Sequence, residues 1–94
     1  MLEAVKKALR IKSTDFDDEI QTLIDAAILD LGITDIRSDV LETPDALVKR
    51  AIITYCLCNF GEPDEYDRLK ASYDEQKAQL SMSSDYTSWG DIDG

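Results

Sequence analysis

The 94-residue sequence has no histidine, and its only cysteines, Cys56 and Cys58, stand two positions apart. Without histidine, nucleophilic catalysis by the usual Cys-His or Ser-His pair lacks its base. A zinc site would need ligands beyond two thiols, and the chain offers neither a third cysteine nor an imidazole. Glycine is scarce too: Gly32, Gly61, Gly90 and Gly94 are scattered, so no glycine-rich loop is there to cradle a phosphate. No apolar segment approaches the ~20 residues that span a bilayer. The N-terminus alternates apolar and charged residues where a secretory signal would show an unbroken apolar run. Basic residues are in deficit, ten against twenty acidic ones, for a net charge of -10. Charge of that sign keeps a chain soluble and repels nucleic acid and anionic membrane, which speaks against DNA binding through a basic face.

What the chain does have is helical periodicity. Leu2, Val5 and Leu9, with Ala4 and Ala8 beside them, give a short amphipathic helix over 2–10 whose other face is basic. In KSTDFDDEI, Ser13 or Thr14 can cap a second helix over 15–31, with Asp15, Asp17, Asp18 and Glu19 placed well against its dipole. Its stripe is Phe16, Ile20, Leu23, Ile24, Ala27, Ile28 and Leu31, and Gly32 stands where a left-handed cap is wanted. Residues 32–43 read as a loop whose Ile33, Ile36, Val40 and Leu41 tack down onto the core. Thr43 and Pro44 restart the helix over 44–60, and its apolar residues surround it almost completely, the mark of a central element. Gly61 and Pro63 end it. A fourth helix over 64–82 carries only the thin face Tyr66, Leu69, Tyr73 and Leu80, with Asp64 and Arg68 as an i,i+4 pair on the exposed side. The fold expected is therefore all-α, a small bundle of about four helices over residues 1–82, followed by a flexible acidic tail over 83–94.

Residues two apart on a helix project about 200° from each other, so Cys56 and Cys58 cannot share an ion or bond together. Reduced thiols in a hydrophobic core are the reading that remains. Asp15, Asp17 and Glu19 fit the first, third and fifth places of a calcium loop, but Ile20 and Ala26 stand where glycine and glutamate are required. An acyl carrier would need Asp-Ser-Leu at a helix start, and Arg37-Ser38-Asp39-Val40 has the wrong order. No carboxylate falls inside an apolar run where burial would tune it, and Asp25 and Asp30 lie on the outer side of the second helix. No catalytic residue, metal ligand or cofactor site is assigned, and the chain does not read as an enzyme.

Charge and anchors point to assembly instead. Residues 1–12 carry a net +3 from Lys6, Lys7, Arg10 and Lys12 against Glu3, leaving -13 on the remainder. The basic residues Lys6, Lys7 and Arg10 of one subunit are expected to meet Asp64, Glu65 and Asp67 of the next, a heterologous contact that closes into a ring. In the tail, Tyr86, Trp89 and Ile92 are isolated large apolar residues, candidates for docking to a partner.

The order of elements, from MLEAVKKALRI through DDEIQTLIDAAILDLG to PDALVKRAIITYCLCNFGEPDEYDRLKASYDEQKAQL, resembles the small head-tail connector proteins of tailed phages and prophages, often labelled DNA-packaging proteins. Its most specific parts are Asp17 to Ala27 and the Leu47 to Phe60 helix, and it covers residues 1–86. The resemblance implies a structural subunit without membrane association, forming a homo-oligomeric ring, twelve-fold on the portal protein, at the head-tail junction of the virion, with assembly in the host bacterial cytoplasm. It also implies that the ring extends the DNA channel, receives a stopper or tail-completion protein, and lets DNA pass without sequence-specific binding. The alternative is a generic bacterial helical adaptor or regulatory module that binds a partner through its fourth helix.

Overall fold

The computed structural model describes residues 1 to 33, 36, 41, 45 to 61 and 63 to 82. Among these, four α-helices follow one another: α1 (Leu2–Leu9), α2 (Asp17–Ile33), α3 (Ala46–Asn59) and α4 (Tyr66–Ser81). The all-helical architecture is as the periodicity implies, and every boundary falls within two residues of expectation. The tail over 83–94, with Tyr86, Trp89 and Ile92, lies outside the described residues, as do Val40, Thr43 and Pro44.

Local chemistry accounts for the helix ends. α1 stops where Arg10 turns into the left-handed region (φ 61°, ψ 38°), its N–H reaching the Lys6 and Lys7 carbonyls. The Ile11 N–H then donates to Lys6 O at 2.9 Å. A non-glycine residue in that conformation costs about 1–2 kcal/mol, which the closing hydrogen bonds help to offset. The first turn of α2 carries Asp17, Asp18 and Glu19, favourable against its dipole. Ser13 Oγ accepts from the Asp15 N–H at 3.0 Å, closing the turn ahead of the helix rather than capping it. The cap of α3 is Asp45, whose carboxylate accepts from the Leu47 and Val48 N–H groups at 3.1 Å each. Gly61, with φ 65°, supplies the left-handed turn after α3, and a Cβ there would meet nothing within 4 Å, so the demand is on the backbone alone.

Gly32 departs from expectation: it lies inside α2, which continues to Ile33. A helical glycine costs about 1 kcal/mol. Against that, Leu31 is fully buried and its carbonyl accepts from the Ile36 N–H at 3.3 Å, holding the last turn against the core. The extra turn carries Ile33 outward, 83% exposed beside Leu29 at 70%, so Ile33 does not tack onto the core. Ile36 and Leu41 do, both buried. Phe16 sits just before α2, partly exposed, its ring edge-on to Phe60 with centroids 5.6 Å apart.

α3 is the central rod, packed against α1, α2 and α4. Its Val48, Ala51, Ile52 and Cys56 meet Val5 of α1, Ile20, Ile24, Ala27 and Leu31 of α2, and Tyr73 and Leu80 of α4 in one buried cluster. α4 runs back along α3, with Tyr66 near Asn59 at one end and Leu80 near Leu47 at the other. Its packing is principally on α3, as its narrow apolar stripe implies.

Both cysteines are free and buried. Burial pushes the Cys56 thiol up from 9.0 to about 11, and burial likewise raises Cys58. A rise from 9.0 to about 11 cuts the reactive thiolate of Cys56 roughly a hundredfold. Disulfide-exchange reagents at pH 8 should therefore label neither thiol of the native protein quickly and both after unfolding in urea. Rapid labelling of the folded chain would contradict a core role.

Candidate functional site

The charged surfaces begin with Lys6. It follows the buried Val5 on α1, so its stem is drawn along apolar surface while the ammonium finds a partner. That partner is Asp17 Oδ1 at 2.7 Å, in the first turn of α2, with 9% of the Lys6 side chain exposed. Lys6 thus joins two helices of its own chain. Lys7 and Arg10 are exposed, together with Lys12, and none of the three has an ion-pair partner among the described residues. They border a broad open groove of about 970 Å³ with Ala4 and Ile11.

On the acidic side, Asp64 and Glu65 form the turn before α4 and Asp67 lies in its first turn, all exposed. Glu65 accepts from Arg68, an i,i+3 pair that takes the place of the expected Asp64–Arg68 contact. Asp64 and Asp67 have no ion-pair partner among the described residues. Among the described residues no ion pair joins the cations of residues 7–12 to these carboxylates.

The sequence reading missed a polar link between α2 and α4. The Tyr73 hydroxyl donates to Asp30 Oδ2 at 2.6 Å, and Lys77 Nζ donates to the same oxygen at 3.2 Å. Lys77 also lies 5.2 Å from the Tyr73 ring centroid, and Tyr55 packs edge-on to Tyr73 at 5.3 Å. Asp30 is therefore not on the outer side of α2. The available signal was that Tyr73 sits on α4's thin buried face with Lys77 one turn later, a phenol and an ammonium in need of an acceptor. Burial alone would raise the Asp30 carboxyl, but the hydrogen bonds from Tyr73 and Lys77 and the charges of Lys77 and Lys70 outweigh it and hold the group below 3.8. Burial, and then Asp30, push the Tyr73 hydroxyl far above its ordinary value. At neutral pH the carboxylate is charged and the phenol protonated, so the cluster fastens helices and holds no proton poised for transfer.

A depressed folded-state pKa contributes stability that is complete above 3.8 and lost as pH falls through the folded value. Acid titration of stability should show this loss below about pH 4, and Asp30→Asn should flatten that limb. An acid limb identical in the variant would mean that Asp30 does not carry the effect.

Among the described residues no group of three or more His, Cys, Asp or Glu side chains could hold a metal ion, and no helix is long and apolar enough to cross a membrane. The described residues thus form a helical bundle with buried thiols, a carboxylate that fastens two helices, and exposed charges unpaired within the subunit. The chain matches the phage connector protein family over residues 1 to 87 and belongs to it. It is accordingly a phage connector-type protein and not an enzyme. No curated protein and no solved structure matches the chain.

Proposed function

We propose that this chain is the head-tail connector of a tailed phage or prophage, forming a ring beneath the portal protein, extending the DNA channel and receiving the stopper or tail-completion protein. The observation that carries this reading is opposite charge left unpaired on a family member: Lys7, Arg10 and Lys12 on and just after α1, Asp64 and Asp67 around the start of α4. Opposite charges left unpaired within one subunit can make head-to-side contacts with the next, which close into a ring when the rotation permits. Exposed pairs contribute only about 0–1 kcal/mol each, so the ring should depend on the portal as a template and weaken with salt. The acidic remainder suits a conduit, because a basic lumen would hold the phosphates of passing DNA. The tail residues Tyr86, Trp89 and Ile92 serve as docking anchors.

Mixing the chain with its cognate portal and imaging the product tests this reading. A ring on the portal is the expected result, lost when Asp64 and Asp67 are both changed to lysine. Absence of any portal-bound ring with the unaltered chain would overturn it.

A further inference from the structure

The groove along α1 sets two apolar residues, Ala4 and Ile11, among basic side chains, with Glu3 the one acid in its described lining. Lys7, Arg10 and Lys12 border it without ion-pair partners among the described residues. The rest of the chain repels anionic polymers through its net negative charge, so the groove's counterpart is expected to be a short acidic segment bearing an apolar anchor. Residues 83 to 94, SSDYTSWGDIDG, have that composition: Asp85, Asp91 and Asp93 with no basic residue, and the chain's single tryptophan, Trp89. The segment's three carboxylates equal in number the three exposed cations of the groove. Trp89 and Ile92 lie beyond the stretch that matches the connector family, so the pairing draws on what this chain adds to it.

We infer that the α1 groove receives the acidic C-terminal segment of a second copy of this chain, with Trp89 seated against Ala4 and Ile11, and with Asp91 and Asp93 paired to Lys7 and Arg10. The inference rests on reading the protein as a self-assembling subunit and names what its basic surface holds. Reach permits it, since twelve extended residues span roughly 40 Å and α1 is only about 12 Å long. A second copy is the occupant proposed because a self-assembling subunit carries both a basic groove and an acidic segment, so each copy can hold the next in a heterologous contact. The same reach lets a neighbour contribute both its Asp64 and Asp67 patch and its tail. Each tail then clips the next subunit, and burying a tryptophan adds an apolar contribution that exposed ion pairs lack.

Because Trp89 is the only tryptophan, its fluorescence in the full-length chain reports the contact directly. At high protein concentration and low salt, emission should shift to shorter wavelength and acrylamide quenching should fall several-fold; dilution or added salt should reverse both. Lys7→Glu with Arg10→Glu should weaken the self-association roughly tenfold or more. Mixing that variant with Asp91→Lys/Asp93→Lys chains should restore it. Circular dichroism must show both variants folded as the parent. A docked Trp89 that ignores dilution would assign the groove to the chain's own tail and overturn the second-copy inference. Exposure at every concentration, or docking only to the portal and indifferent to Lys7 and Arg10, would overturn it equally. Portal-bound rings with Trp89 free sink this inference alone, whereas copies joined through Trp89 that never form a ring on the portal sink the ring reading alone.

Discussion

Truncating Ile52 to alanine is expected to remove about 2–5 kcal/mol of folding stability, a large share of the roughly 5–15 kcal/mol typical of a small domain. Ile52 is fully buried on α3, the helix against which α1, α2 and α4 all pack. The cavity would open in the cluster that all four helices share, where no single neighbour can move in without leaving another contact. Urea titration followed by far-UV circular dichroism measures the loss as a lower midpoint with an unchanged slope. Leu29→Ala is the control: Leu29 is 70% exposed, and its truncation should stay within about 0.5 kcal/mol. Equal effects at the two positions would refute α3 as the centre of the bundle.

Reversing Lys6 to glutamate is expected to destabilise the monomer by about 3 kcal/mol, the lower end of what breaking a buried ion pair costs. The lower end applies because Asp17 keeps 31% of its side chain in water. The variant sets two carboxylates where a 2.7 Å pair had been and loses a buried lysine stem. Asp17→Lys in the same chain should recover part of the loss, and the double-mutant cycle isolates the pair. Lys7→Glu, one residue away but exposed, should leave stability within about 0.5 kcal/mol. Thermal or urea unfolding of the variants decides the matter; a stable Lys6→Glu monomer that merely fails to assemble would return Lys6 to the intersubunit surface. If the expectation holds, an assembly test that reverses Lys6 together with Lys7 confuses unfolding with loss of contact, and Lys7 with Arg10 is the sound choice.

The contrast between these two lysines shows how far the sequence could be read. Adjacent on α1 and identical in type, they differ in that Lys6 borders the apolar stripe of Leu2, Val5 and Leu9 and is buried while Lys7 is exposed; that Asp17 approaches Lys6 is what spacing alone does not show. The same holds for Asp25 and Asp30 on α2. Asp25 accepts from its helical neighbour Gln21 at 3.0 Å, a contact that spacing of four predicts. Asp30 is bound by Tyr73 and Lys77, more than forty residues away. Gly32 misled for a related reason: its local preference to end a helix was overridden by the burial of Leu31 and the bond from Ile36.

Periodicity, cap chemistry and the missing histidine determine from the sequence alone that this chain is a helical bundle built around its third helix, with thiols inside and no usual catalytic set. Those features depend on neighbours within one or two turns, where spacing and side-chain type suffice. Only the tertiary structure decides which charges are consumed within the subunit, as at Lys6–Asp17 and Asp30–Lys77, and which stay exposed and unpaired among the described residues, as at Lys7, Arg10 and Asp67. An ion pair is made by distance in space, and the packing of helices around α3 brings together side chains whose separation along the chain carries no signal of their meeting.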